Sequence, residues 1–233
     1  MRDIAWFLLL PFAFLLLPYR LDTKKIGVWG FSQGGWITPL AASRSKDIAF
    51  VIMASGGGVT NQEAEINEQV ARMRRQKLSD EEIKEAIAFM QLQFQAAYSP
   101  EGWEKFQAAI PAAQNKRWFN RTWARIPKDD WWWQWWRMNG RYDPEPVLTK
   151  VKVPVLTLFG AADELTLPEI VPQITARIEA ALKKGGNKNV TAKIFPNANH
   201  DLSVKLDNGQ WAAPPEYHTT LTSWLLQRAA NKK

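Results

Sequence analysis

The chain has 233 residues, no cysteine, two histidines and a formal net charge of +7. That length suits one domain with a sizeable core and an inserted subdomain. The lack of cysteine excludes disulfides, thiolate zinc sites and cysteine nucleophiles, and His200 and His218 alone are too few for a histidine-based metal cage.

The first segment, residues 1–20, stands apart. From Ile4 to Leu17 it is almost wholly apolar, interrupted by Pro11, and Pro18 ends the run. As a helix at about 1.5 Å per residue the run reaches roughly 21 Å, short of the ~30 Å hydrocarbon core of a bilayer. Three readings stay open: the apolar part of a secretory signal or anchor with membrane contact of residues 4–17, a helix packed on a sheet, or an unnatural reading frame at a gene edge. Compartment and oligomeric state stay open with them. The basic residues are dispersed, with short clusters at 72–77 and 115–117, a pattern of solvated surface that gives no nucleic-acid partner.

Four short apolar runs read as buried parallel strands: residues 26–29, 48–53, 153–159 and 190–195. Helices fit between and after them, at about 33–44, 168–184 (ending at Gly185-Gly186) and 215–230. The alternation implies an α/β fold with a mostly parallel sheet flanked by helices, its core formed by residues 21–60 and 150–233. Residues 61–149 interrupt it with a helical insertion. There Ser79 and Glu82 form a capping box, Ile83, Ile87, Met90 and Phe94 recur at helical spacing, and Ser99-Pro100-Glu101 opens a further helix. An insertion over the C-terminal edge of the sheet lies where α/β proteins bind ligands. The run Trp131-Trp132-Trp133-Gln134-Trp135-Trp136 admits two roles, burying the insertion or walling an apolar pocket; Trp132, Trp133 and Trp136 are the candidates for the wall.

The chemistry concentrates at Gly30-Phe31-Ser32-Gln33-Gly34-Gly35, placed between the first strand and the first helix. It fits G-x-S-x-G, in which a sharp turn holds the serine out and leaves no room for side chains two positions either side, here Gly30 and Gly34. The following helix turns its free N–H groups towards the space where an oxyanion would form. A serine hydroxyl needs a base, and the base needs an orienting partner. Asp163 follows the third strand run and His200 the fourth, both in loops at the sheet edge that carries Ser32. Asp163 also reads as a turn residue or helix cap, and His200 as a surface histidine. The order serine, acid, histidine is that of the α/β hydrolases; 131 residues separate Ser32 from Asp163, room for an inserted lid, and 37 separate Asp163 from His200. Glu164 is the fallback acid, and His218 falls in the last helix as a solvated residue.

Together these motifs resemble the α/β-hydrolase superfamily, closest to dienelactone-hydrolase-like and dipeptidyl-peptidase-like serine hydrolases with a lid. Gly30-Phe31-Ser32-Gln33-Gly34-Gly35 is similar to that family's elbow, Gly160-Ala161-Ala162-Asp163 to its acid loop, and Asn197-Ala198-Asn199-His200 to its histidine loop, though the family more often has Gly just before the histidine. The resemblance covers about residues 22–230. It implies Ser32 as nucleophile, His200 as general base, Asp163 as its orienting acid and the Gln33 N–H as an oxyanion donor, acting on a small-molecule acyl substrate without metal or organic cofactor.

In that family about four strands and two helices precede the elbow strand, and they include the loop with the second oxyanion N–H; the sequence before Lys25 is too short to supply them. Two expectations follow, an open edge on the first strand and an apolar N-terminal segment packed against the bare surface. The expected activity is cleavage of a carboxylic ester or related acyl bond. The alternatives are a peptidase, with Glu63, Glu65 and Glu68 meeting a substrate amino terminus, and a truncated, inert fragment that serves at most as a binding module.

Overall fold

Period-two alternation of apolar side chains builds the centre of the molecule. A computed structural model describes residues 22–230, and the apolar segment expected to contact a membrane or pack on the sheet lies outside the described residues. Strands β1 (Val28–Phe31), β2 (Val51–Ala54), β3 (Val155–Gly160) and β4 (Val190–Phe195) form one parallel sheet in the order β1-β2-β3-β4. The register sets Gly30 beside Met53, Met53 beside Thr157 and Thr157 beside Ala192, so all four strands end at one edge.

Alternate residues serve opposite faces. Val51, Met53, Val155 and Phe159 pack with helices α1 (Gly34–Arg44) and α7 (Val171–Lys184) through Trp36, Ala42, Ile174 and Ile178. Ile52, Ala54, Leu156 and Leu158 pack on the other face with α8 (Pro215–Ala230) through Trp224 and Leu221. The result is a three-layer α/β sandwich, a parallel sheet with helices on both faces. β1, β2 and β3 start later than the apolar runs suggest, at Val28, Val51 and Val155 rather than at residues 26, 48 and 153, whereas β4 spans 190–195 as read. A short antiparallel pair, β5 (Val204–Lys205) with β6 (Trp211–Ala212), lies beside α8 in sequence and is too brief to show a period.

Among the described residues β1 pairs only with β2, and its outer edge leaves Trp29 54% exposed. No helix among those residues is long and apolar enough to cross a membrane.

The insertion comprises α2 (Asn61–Arg75), α3 (Asp80–Tyr98), α4 (Pro100–Ala113), α5 (Trp131–Asn139) and α6 (Glu145–Leu148). Reciprocal capping boxes start α2 (Thr60 with Glu63) and α3 (Ser79 with Glu82), while the Ser99 hydroxyl caps α4 and Pro100 occupies its first position. The insertion has its own aromatic core, in which Phe89, Phe94, Phe106, Trp118, Trp123 and Trp133 meet edge-on or tilted, the favoured arrangements for rings. Exposed ion pairs tie α2 and α6 to the sheet side: Arg74 with Glu169 at 2.5 Å, Arg177 with Glu63 at 3.0 Å and Lys184 with Glu145 at 2.8 Å.

Candidate active site

Ser32 occupies the turn between β1 and α1 with φ 52°, left-handed backbone that a non-glycine residue adopts only under constraint. The constraint is visible in the hydrogen bonds. Ser32 N–H donates to Ala54 O at 2.8 Å, and Ser32 O accepts from Gly35 N–H at 2.8 Å, closing the turn into the helix. At Gly30 a Cβ would sit 2.3 Å from Gly34 O, so glycine is required there. Gly34 is different: a Cβ would meet nothing within 4 Å, because it is the Gly34 backbone that approaches Gly30, and the expected crowding at both flanks is corrected to one. The second tight position is Gly35, whose Cβ would lie 2.3 Å from Gly56 O, the close approach of α1 to the β2 loop. Gln33 stands at the N-cap of α1, where the first N–H groups of a helix have no intrahelical acceptor.

The loops after β3 and β4 are stitched together. Ala161 N–H donates to Phe195 O and Ala162 N–H to Ala198 O, both at 2.9 Å, and Gly160 leaves space for the carbonyls of Ala198 and Asn199. This brings Asp163 and His200 side by side. His200 Nδ1 lies 2.9 Å from Asp163 Oδ2, and His200 Nε2 lies 3.0 Å from Ser32 Oγ. Asp163 is 2% exposed, and its Oδ1 accepts from the N–H groups of Leu165 at 2.8 Å and Thr166 at 3.2 Å. Glu164, the other acid considered, is exposed and meets the histidine elsewhere: its Oε2 accepts the His200 backbone N–H at 2.9 Å. His218 is exposed on α8.

Burial opposes protonation of His200, but the hydrogen bond and charge of Asp163, with the charges of Glu164 and Asp201, outweigh it, and the pKa stands above the ordinary histidine value. The Phe31 ring flanks the imidazole, with centroids 5.2 Å apart. An alcohol, an imidazole and a buried carboxylate in this chain of contacts can shuttle one proton off Ser32 and stabilise the imidazolium that results.

Ser32 and His200 open into a cavity of about 360 Å³ between the sheet edge and the insertion, walled by α2 and α5. Trp132 and Trp136 line it. Trp133 does not: it is 3% exposed, its Nε1 donates to Pro127 O at 2.9 Å, and it packs against Trp103 and Phe106 in the insertion core, so its place in the pocket wall is withdrawn. On a helix, neighbours in sequence point about 100° apart, so consecutive tryptophans divide between cavity and core. Trp131, Trp135 and, from α1, Trp36 are further wall residues; Trp36 Nε1 donates to Val59 O at 2.7 Å. Glu65 and Glu68 of α2 also reach the cavity. Burial and the neighbouring Glu68 charge push the Glu65 carboxyl up to about 7. Among the described residues no group of three or more His, Cys, Asp or Glu side chains is arranged to hold a metal ion.

A family model described as the C-terminal domain of BAAT / acyl-CoA thioester hydrolase matches residues 11–120. A search of curated proteins found no match. Among solved structures the chain is similar to an esterase of Pyrococcus furiosus, at 17% identity and TM-score 0.44, covering 93% of this chain and 58% of that one. It is also similar to a proline iminopeptidase of Mycobacterium smegmatis, at 17% identity and TM-score 0.47 over 88% of this chain and 67% of that one. A third is MGS-M2, an alpha/beta hydrolase enzyme from a Medee basin deep-sea metagenome library, at 16% identity and TM-score 0.44 over 95% of this chain and 70% of that one. The chain thus spans little more than half the length of the first of these.

Proposed function

We propose that the chain is a serine hydrolase of the α/β-hydrolase type that cleaves a carboxylic ester or related acyl bond through an acyl-enzyme, a reading that the family-model match over residues 11–120 supports. The observation that carries this reading is the unbroken series Ser32 Oγ, His200 and Asp163, with contacts of 3.0 and 2.9 Å at the floor of the cavity. In it His200 Nε2 takes the Ser32 proton as Oγ attacks the acyl carbon, and the carbonyl oxygen gathers negative charge near the Gln33 N–H. The C–O bond to the leaving group breaks, and His200 returns the proton to the departing alkoxide. Water, deprotonated by His200, then attacks the acyl-serine and releases the acid. Asp163 keeps the Nδ1 proton in place throughout and steadies the imidazolium. The aromatic wall acts as a lid that favours an apolar segment in the substrate.

A second reading is an inert hydrolase that keeps the three side chains and serves as a binding module. One observation favours it: among the described residues nothing pairs with the outer edge of β1, and the Gln33 N–H is the one oxyanion donor identified. Losing one such donor typically costs about 10²–10³ in rate. A fluorophosphonate probe and p-nitrophenyl butyrate, applied beside Ser32→Ala, separate the two. Labelling and turnover that vanish in the variant are expected; an unlabelled wild-type chain without turnover would establish the inert module.

A further inference from the structure

We infer that the cavity beside Ser32 is built to take an ammonium group, so that the substrate class is an acyl compound carrying a compact organic cation; the inference rests on the hydrolase reading of the same site.

The first observation is the segregation of charge. The chain holds 30 Lys and Arg against 23 Asp and Glu, yet among the described residues no Lys or Arg lines this cavity, whereas two carboxylates do. Glu65 and Glu68, three positions apart on α2, share a helix face. They are not equivalent. Glu68 Oε1 is bound by Arg72 at 2.5 and 3.0 Å, which settles its charge locally. Glu65 accepts from Gln69 at 3.1 Å and from the Trp123 side chain, feels the Arg72 charge only at longer range, and has no Lys or Arg within ion-pair distance among the described residues. A partly buried carboxylate whose attracting cation is held by another carboxylate is costly, and a cationic ligand would offset that cost.

The second observation is the wall opposite. Trp132, Trp135 and Trp136 of α5 and Trp36 of α1 face the same space. Trp132 and Trp135 are stacked, 5.9 Å apart and 12° from parallel. Indole faces carry negative charge density and attract an alkylammonium within about 6 Å, most strongly where water is excluded. Rings alone describe an apolar slot and a carboxylate alone an exposed helix; the two together describe a cation site.

The third is a set of polar groups without partners. Ser55, 6% exposed and left-handed at φ 53°, Trp136, 3% exposed, and Trp132 all line the cavity, and among the described residues Ser55 Oγ, Trp136 Nε1 and Trp132 Nε1 have no hydrogen-bond partner. Buried polar groups are rarely left so, and a bound acyl compound offers oxygen acceptors to them. A bound ammonium would draw the raised carboxyl of Glu65 back towards its ionised form.

The experiment compares two esters of one shape and different charge: p-nitrophenyl 4-(trimethylammonio)butanoate and its carbon isostere, p-nitrophenyl 5,5-dimethylhexanoate. The full chain is expected to favour the cationic ester at least tenfold in kcat/KM, and Glu65→Gln to bring that ratio to threefold or less, while Glu65→Asp retains part of it. Equal or reversed preference in the wild-type chain overturns the inference, and that arm needs no variant to fold. L-Alanine p-nitroanilide beside its N-acetyl form distinguishes the source of the cation. Selection of the free amine there points to a peptide amino terminus, and selection confined to the ester pair points to an alkylammonium ester; both uphold the ammonium site. If no compound is turned over, the hydrolase reading fails by itself. Choline against 3,3-dimethylbutanol, followed by tryptophan fluorescence, then decides the cation site: choline binding at least tenfold tighter sustains it, and equal binding removes it.

Discussion

The backbone N–H of His200 donates to Oε2 of Glu164 at 2.9 Å. The adjacent Asp163 holds the ring of the same histidine from its other end at 2.9 Å, so two consecutive acids grip one histidine by main chain and side chain. Glu164 is therefore a positioning residue whose charge also helps hold the His200 pKa up. A base must be neutral to accept a proton, so the acid limb of the kcat/KM profile reports this pKa. Glu164→Gln removes one raising influence, and the limb is expected to move to lower pH; an unmoved or alkaline-shifted limb would contradict the assignment.

Ser32, His200 and Asp163 are expected to act as one unit. Ser32→Ala or His200→Ala should each lower kcat by about 10⁴ or more, and the double variant should fall little further than either single one. Asp163→Asn should cost about 10⁴ through the wrong imidazole tautomer. Stopped or steady-state ester assays on the four proteins check this; losses that add on the logarithmic scale would show independent residues.

Glu65 carries a stability signature. Its folded pKa, about 7, lies above the ordinary 4.5. Between those values the folded chain binds more protons at this site than the unfolded one, so stability declines as pH rises from about 4.5 to 7. Glu65→Gln abolishes this slope. Urea melts at pH 5 and pH 8 should show the variant gaining on the wild type at the higher pH, by at most about 3 kcal/mol.

Two glycines give opposite outcomes. Gly160→Ala puts a methyl 2.3 Å from the carbonyls of Ala198 and Asn199, and must part the loops that hold Asp163 and His200. A loss of about 2 kcal/mol or more is expected in denaturant titration, with activity falling alongside. Gly34→Ala meets open space at the start of α1 and should leave stability within about 1 kcal/mol of the wild type, or raise it.

Much of this architecture is legible from residue order because its signals are local. The runs around β2, β3 and β4 read directly as a parallel core, and Ser79-Asp80-Glu81-Glu82 announces the start of α3. Ser32, Asp163 and His200 stand out because each follows a strand run, and strands of one parallel sheet deliver their loops to one edge. Trp133 was misplaced because a tryptophan run has no apolar-polar contrast, and only packing decides which ring faces the cavity and which Phe106. Ser55 and Trp36 escape notice for another reason: their place in the wall depends on the approach of Gly35 to Gly56, a contact between segments with no shared motif. Thr60 with Glu63, a capping box at the head of α2, obeys the same rule as Ser79 with Glu82, but the glycine run before it masks the helix start.

The aromatic core of the insertion and the two apolar layers of the sheet share almost no side chains, Ile170 being the joint between the first two. Cooperativity follows contact, and where contact is this sparse, two parts of one chain need not melt together. Heating should then release the helices of residues 61–139 as a unit of their own, and the tryptophan signal, concentrated there, would report that event rather than loss of the sheet.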